Sequence, residues 1–146
     1  MRSTEPDAGV TLVEVLISIV LLGLGVSMML TLLTVTIRAS TTERDHANAH
    51  AWLQTASDVL YGASRADCTA GEQAVFDEYE PIIKSAPNPE GWDASNIDIV
   101  RPILFWDGDI YQSTCHDDEN INLQLITIQV SNPAGEIVES VQVVKG

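Results

Sequence analysis

Basic residues are scarce in this chain. Its 146 residues include 7 Lys and Arg against 21 Asp and Glu, and the formal net charge is −14. Nonspecific nucleic-acid binding needs Lys and Arg to replace counterions along phosphates, and electrostatic adhesion to anionic lipid needs the same residues. We therefore expect no nucleic-acid partner. The excess of acidic residues instead favours a domain that stays soluble outside the cytoplasm.

Charge of either sign is absent between Glu14 and Arg38. As a helix, residues 15–37 would be about 35 Å long, enough to span the roughly 30 Å hydrocarbon layer of a membrane. An ordinary secretory signal has a shorter apolar region of about 7–15 residues after a basic start. The helix of a soluble core is the other reading of an apolar run, and the length of this one disfavours it. The sequence thus predicts a membrane-spanning helix.

Glu14 stands alone in front of this apolar stretch. A charged side chain in a membrane helix costs roughly 2.5–3.5 kcal/mol near the bilayer centre, and less toward the interface, so it indicates a function and a partner. If the chain is cut after Gly9, the new amino group of Val10 is a cation about one helical turn from Glu14, in the same chain or in a neighbouring subunit. We expect an ion pair whose second half exists only after cleavage.

Residues 9–14 (Gly-Val-Thr-Leu-Val-Glu), followed at once by an uncharged helix, resemble the prepilin N-terminus of type IV pilins and type II secretion pseudopilins. The resemblance implies that a membrane-embedded prepilin peptidase cuts after Gly9 and methylates Val10. It also gives Glu14 the place of the glutamate that this family carries fifth after the cut. Two features depart from the family pattern: Val10 stands where Phe or Met is usual, and the leader is not clearly basic.

The resemblance implies a structural subunit that is not an enzyme and needs no cofactor. It would sit in the bacterial cytoplasmic membrane as a single-pass protein, in contact with lipid, and then enter a cell-surface pilus or a periplasmic pseudopilus through its N-terminal helix. Its partners would be prepilin peptidase and other pilin or pseudopilin subunits. Residues 12–16 and the small size are most similar to the minor PilV-like pilins and the I-type pseudopilins. The alternative is an uncleaved, signal-anchored module that binds calcium or another ligand outside the cytoplasm.

The chain is thus predicted to consist of three segments: a leader at residues 1–9, a transmembrane or filament-core helix at 10–37, and an extracytoplasmic domain at 38–146. The helix is expected to run from about 10 to 64, because a second apolar stripe recurs at helical spacing. That stripe consists of Ala49, Trp52, Leu53, Ala56, Val59 and Leu60.

The rest of the domain is predicted to be a short helix and an antiparallel sheet. The helix is expected at residues 72–84, inside an irregular segment. Period-two patterns and turn residues predict strands, and the long helix can cover the apolar face of their sheet. The fold class is therefore α+β, as in pilins. The predicted strands are 97–100, 103–106, 110–112, 123–130 and 136–144.

Only two cysteines are present, Cys68 and Cys115. In an exported domain an even cysteine count indicates a disulfide, and we expect these two to form one. Two free buried thiols are the alternative.

The chain offers weak candidates for a metal site. His46 and His50 lie one helical turn apart, as zinc ligands do, but they lack a third ligand and are expected to be solvated. The acidic residues 117–119, with Asp107 and Asp109 nearby, carry oxygen ligands that calcium prefers. Their spacing does not match a regular calcium loop. We therefore predict no metal and, because no nucleophile or acid–base motif stands out, no catalytic residues.

Overall fold

The structure, a computed structural model, describes residues 11–115 and 123–146. The chain divides into two compact units, Met1–Thr42 and Glu43–Gly146. The described residues form two α-helices, a short 3₁₀ helix and four strands. In chain order they are α1 (Leu12–Gly62), α2 (Glu72–Lys84), the 3₁₀ turn (Ala94–Asn96), β1 (Ile97–Trp106), β2 (Tyr111–Gln112), β3 (Gln124–Ser131) and β4 (Val138–Lys145).

The described part of the first unit is helical and apolar on all sides. Every residue from Thr11 to Thr42 is exposed within the chain. Hydroxyl side chains bond back to the helix: Ser18 Oγ donates to the Glu14 carbonyl at 2.8 Å, and Thr31 Oγ1 donates to the Ser27 carbonyl at 3.0 Å. This bonding satisfies polar groups inside an apolar environment. A helix with no polar face is typical of helices that are buried in lipid or among other helices.

The second unit packs the later part of α1 and helix α2 with an antiparallel sheet. The sheet order is β2-β1-β3-β4, and all neighbouring strands are antiparallel. Alternate β3 residues Ile126, Ile128 and Val130 are completely buried, as their period-two spacing predicts. The predicted α+β class is therefore confirmed. The buried core residues of α1 are Ala49, Trp52, Leu53, Ala56 and Leu60, and those of α2 are Val75, Tyr79 and Ile83.

The sequence predicted two strands where the structure has the single strand β1. The interruption is a bulge, because the register of β1 against β3 shifts between Val100 and Leu104. Pro102 lies inside the bulge and has no N–H to donate to the ladder, so a proline here reads as a strand break in the sequence.

The tryptophans pack in the domain. Trp52 and Trp92 are buried and meet edge to face, with ring centroids 6.0 Å apart and planes at 74°. Trp106 is half-buried and tilts against Tyr111 at 5.0 Å between centroids. Both pairs have the separation of favourable aromatic contacts.

Candidate functional site

The predicted cleavage site, Gly9 and Val10, lies outside the described residues. Glu14 is the third residue of α1, and Thr11 directly precedes the helix. The Glu14 N–H donates to the Thr11 carbonyl at 3.0 Å and approaches the Thr11 hydroxyl at 3.3 Å. This Thr-x-x-Glu arrangement is typical of a helix N-terminus, where the helix dipole favours a negative charge. Glu14 is thus held in the first turn, close in sequence to the predicted cut.

The Glu14 carboxylate has no ion-pair or hydrogen-bond partner in residues 11–115 and 123–146. The next cation along α1 is Arg38, about 36 Å further along the helix axis. A charge next to an apolar helix needs a partner in a low-dielectric environment. In the part of the chain that the structure describes, no such partner is provided.

Helix α1 is the one described helix long and apolar enough to cross a membrane, judged by length and composition. Gly23 and Gly25 lie within its apolar part. A Cβ added at either glycine would meet nothing within 4 Å, so the chain itself has no steric need for glycine there. Each glycine weakens a helix by roughly 0.8–1 kcal/mol relative to alanine. The two glycines therefore cost helix stability and give no packing benefit inside the chain.

The expected disulfide is present. Cys68 and Cys115 are bonded, with their Cα atoms 5.8 Å apart, and Cys68 is buried. The bond joins the segment between the two helices to the segment that follows β2. The acidic residues 117–119, considered above for calcium, lie outside the described residues.

A histidine of the predicted solvated pair has a partner that the sequence did not indicate. His46 Nδ1 lies 2.9 Å from Glu139 Oε1 on β4, whereas His50 is exposed. The His46 side chain is 42% exposed, so it is solvated only in part, because β4 runs close to that flank of α1. Among the described residues, no group of three His, Cys, Asp or Glu side chains is placed to hold a metal ion.

A buried polar network holds the segment after α1 to the sheet. The Ala66 N–H donates to the Tyr79 hydroxyl at 2.8 Å, and that hydroxyl donates to Gln124 Oε1 at 2.6 Å. Gln124 Nε2 closes the ring by donating to the Ala66 carbonyl at 2.8 Å. Burial raises the pKa of Tyr79, so the hydroxyl stays protonated and keeps its donor role. Every polar group named here is paired.

Lys145 of β4 completes the C-terminal end of α1. The side chain is buried, and Nζ donates to the Tyr61 carbonyl at 2.6 Å and to the Ala63 carbonyl. The ammonium also lies 5.7 Å from the centroid of the Tyr61 ring. The last carbonyls of a helix lack partners within it and carry partial negative charge, so a cation satisfies them. Local sequence gave no sign of this contact, since the last turn of α1 contains no basic residue.

An ion pair ties α2 to the bulge of β1. Arg101 meets the Glu72 carboxylate with two hydrogen bonds, Nε to Oε1 at 3.0 Å and Nη2 to Oε2 at 2.8 Å. The Ile103 N–H also donates to Glu72 Oε1, at 3.1 Å. The hydrogen bond from Arg101 is the main cause that lowers the pKa of Glu72. Glu72 therefore satisfies a backbone donor that the bulge leaves out of the ladder.

Comparison with known proteins bears on the N-terminal segment. Residues 6–30 match the family described as the prokaryotic N-terminal methylation motif. No curated protein and no solved structure matches the chain. The match spans the predicted cut, Glu14 and much of the apolar part of α1. It supports a type IV pilin-like or pseudopilin-like class, whose members are structural, and the motif implies processing by prepilin peptidase and assembly with other pilins. With the apolar helix, it fits a membrane-anchored pilin.

Proposed function

We propose that this protein is a minor subunit of a type IV pilus or of a type II secretion pseudopilus. It is cleaved after Gly9, methylated on Val10 and assembled through α1. The observation that carries the proposal is the methylation-motif match at residues 6–30 on a helix that is apolar on all sides and begins with an unpaired Glu14.

Before assembly the protein is a single-pass protein of the bacterial cytoplasmic membrane. The leader at residues 1–9 is cytoplasmic, residues 10–37 span the bilayer, and residues 38–146 form the extracytoplasmic domain. Two observations support this arrangement. The apolar part of α1 is long enough to span. The disulfide suits an oxidising compartment outside the cytoplasm.

Cleavage supplies the missing partner of Glu14. The new Val10 ammonium would destabilise a helix N-terminus on its own, because the dipole there is already positive, and a nearby carboxylate offsets it. In a filament, the Val10 ammonium of one subunit pairs with Glu14 of its neighbour. Leaving one member of a buried pair uncompensated costs about 3–5 kcal/mol, enough to select a single axial register.

Close packing of the apolar helices explains the two glycines. Small and hydroxylated residues let helix backbones approach one another in a membrane or a filament core. Gly23 and Gly25 have open space around them within the chain, and Ser27 and Thr31 follow on the same helix. The helix stability that the glycines cost is recovered through contacts with neighbouring subunits.

The charge of the chain favours a minor role. Copies with a formal net charge of −14 repel one another when their domains are brought side by side. A filament made mostly of other subunits separates these domains and avoids that repulsion. We extend the proposal to the PilV-like or I-type minor subunits, which the small size and residues 12–16 resemble.

The decisive test is the mass and N-terminal sequence of the protein isolated from its own membranes. We expect a chain that begins at N-methylated Val10, and the full-length chain when prepilin peptidase is deleted. A chain that begins at Met1 or Arg2 with the peptidase present would contradict processing. That result would support the uncleaved, ligand-binding module instead.

A further inference from the structure

Strand β4 forms a free edge of the described sheet. In the order β2-β1-β3-β4 it pairs with β3 alone, its register has no shift, and its eight residues include neither proline nor glycine. The opposite edge strand, β2, is two residues long. Proteins usually protect an edge by shortening, bulging or charging the strand, because its unpaired N–H and C=O groups can pair with another chain. Strand β4 has neither of the first two protections.

The register with β3 shows which backbone groups of β4 are free. In the connecting turn the Asn132 N–H donates to the Ile137 carbonyl at 3.0 Å, so this pair is hydrogen-bonded. Bonded and non-bonded pairs alternate along an antiparallel ladder, so every second β4 residue turns its N–H and C=O groups away from β3. These outward residues are Val138, Ser140, Gln142 and Val144, and all four are exposed. No described residue hydrogen-bonds to their outward backbone groups.

The two charged residues of β4 do not protect its edge. Glu139 pairs with His46, and the Lys145 ammonium donates to two carbonyls at the end of α1. An inward-pointing charge protects an edge when an added strand would leave it buried without a partner. Both charges here already have partners inside the domain. Residues 140–144, which lie between them, are uncharged.

The outer face of the sheet, opposite the helices, determines which side chains an added strand needs. Leu104 of β1 pairs with Leu125 of β3, and Leu125 pairs with Val144 of β4, so the three form an apolar row across the sheet. Directly opposite residues on one face contact each other through their side chains. An added strand therefore extends this row with an apolar side chain beside Val144. Beside Gln142 and Ser140 it meets polar neighbours.

The charge of the chain restricts the partner further. With a formal net charge of −14, the protein repels an acidic segment, and it repels a second copy of itself for the same reason. An extended peptide is the partner whose alternating N–H and C=O groups match those of a free strand edge. The chemistry of the edge thus favours an extended segment that is neutral or basic and belongs to another protein.

We propose that the free edge of β4 binds an extended, non-acidic segment of a different protein, which adds a fifth strand to the described sheet. Backbone hydrogen bonds to Ser140, Gln142 and Val144 hold the segment, and an apolar side chain beside Val144 fixes its register. The inference goes beyond the proposed filament function and does not depend on it, because every group that it uses belongs to the second unit.

A peptide that copies β3, residues 124–131, is a suitable probe. Antiparallel to β4 in the register of β3 itself, it places leucine beside Val144, threonine beside Gln142 and glutamine beside Ser140. Its side chains carry no charge. The probe has blocked termini and a neutral fluorophore, and fluorescence anisotropy measures its binding to the full chain in detergent. We expect saturable binding to one site, and absence of binding would overturn the inference.

Amide hydrogen exchange of the full chain locates the bound peptide. Without peptide, the amides of Ser140, Gln142 and Val144 should exchange fast, whereas those of Val141 and Val143 bond to β3 and should exchange slowly. The peptide should slow exchange in the first group. Slow exchange of that group without peptide would show that the edge is already covered, and unchanged exchange with bound peptide would place the peptide elsewhere. Either result would overturn the inference.

Proline substitutions test the backbone hydrogen bonds. The same peptide with proline in place of its threonine lacks the N–H that faces Gln142 and should bind about two- to ten-fold more weakly, the effect of one lost hydrogen bond. In the protein, Gln142→Pro removes an outward N–H, which an edge strand tolerates, and should weaken binding by a similar factor. Gln142→Thr keeps the N–H and is the matched control. If Gln142→Pro does not fold, the peptide variant decides, and equal affinities of the two peptides would contradict strand pairing.

Two measurements test the identity of the occupant. At low ionic strength, a peptide with aspartate in place of the threonine should bind about two-fold more weakly than one with lysine there, and the opposite order would contradict the charge argument. Sedimentation and hydrogen exchange over a range of protein concentrations test self-pairing. A dimer in which the amides of Ser140, Gln142 and Val144 become protected would make a second copy the occupant and overturn the inference.

Discussion

The Tyr79 hydroxyl donates a hydrogen bond of 2.6 Å to Gln124 Oε1, and both side chains are completely buried. Loss of this hydrogen bond should destabilise the domain. Tyr79→Phe leaves Gln124 Oε1 and the Ala66 N–H without their partner, and we expect a loss of about 1–3 kcal/mol in the free energy of unfolding. Denaturant unfolding of the full chain in detergent, followed by tryptophan fluorescence, measures the change. Tyr111→Phe, at a half-buried position, is the control, and equal stability of the two variants would refute the role of the network.

The pair of Glu72 and Arg101 predicts acid sensitivity. Because the pKa of Glu72 is lower in the folded than in the unfolded chain, its contribution is complete above the unfolded value and is lost as pH falls through the folded value. Arg101 is partly exposed, so we expect Glu72→Gln to cost no more than about 1 kcal/mol near neutral pH.

The measurement is the pH dependence of the unfolding midpoint. The difference in unfolding midpoint between the native protein and Glu72→Gln should disappear as the pH falls below about 4. Glu78→Gln, which removes an exposed carboxylate, is the comparison. A gap that stays constant down to pH 2 would show that the pair does not titrate as described.

Glu14→Ala should separate insertion from assembly. The variant lacks the one charge at the start of the apolar helix, so we expect membrane insertion and cleavage to persist. Incorporation should fall steeply, since the Val10 ammonium of the neighbour is left unpaired. The measurement is the ratio of filament-bound to membrane-bound protein. Glu43→Gln is the matched control, and normal filament levels of Glu14→Ala would exclude the proposed role.

Gly23→Ala tests why the apolar helix keeps glycine. Within the chain the added methyl group meets nothing, and the substitution should stabilise the helix by roughly 0.8–1 kcal/mol. If neighbouring helices approach at this point, the same variant should enter filaments less well than the native protein. Amide hydrogen exchange in detergent and the filament fraction give the two readings. Ser40→Ala is the control, and a Gly23→Ala variant that is both more stable and fully incorporated would contradict the packing argument.

Removing the disulfide should weaken the second unit. The bond between Cys68 and Cys115 spans a sequence separation of 47, for which the chain-entropy model gives about 4 kcal/mol. We expect the Cys68→Ser, Cys115→Ser double variant to unfold at lower denaturant concentration and to be degraded faster. Reduction of the native protein should reproduce the shift. Matching unfolding curves with and without reductant would contradict it.

Local patterns predicted much of the fold. The helix predicted at residues 72–84 is confirmed as α2, which has the same bounds. Gly71 directly precedes the helix, and its apolar residues recur at helical spacing. The strands followed from period-two spacing. Because of Pro102, β1 was predicted as two strands. A proline in a β-bulge and a proline between two strands cannot be told apart from the sequence.

Long-range polar contacts could not be predicted in this way. His46 and Glu139 are 93 residues apart, and no residue close to either of them in the sequence indicates that the two side chains form a pair. No periodicity in the sequence marks the buried indole N–H of Trp52, which has no hydrogen-bond partner among the described residues. Glu14 was recognisable because one charge before an apolar helix is conspicuous in any sequence.

The contact between Lys145 and the end of α1 bears on how the protein is made. The residues joined, Tyr61 and Lys145, are 84 positions apart. At translation rates of about 5–20 residues per second, the end of the helix is synthesised roughly 4–17 s before the strand that completes it. Until β4 is synthesised, the end of the helix therefore lacks the cation that satisfies its last carbonyls. Over that interval the nascent domain lacks a contact that joins its first helix to its last strand.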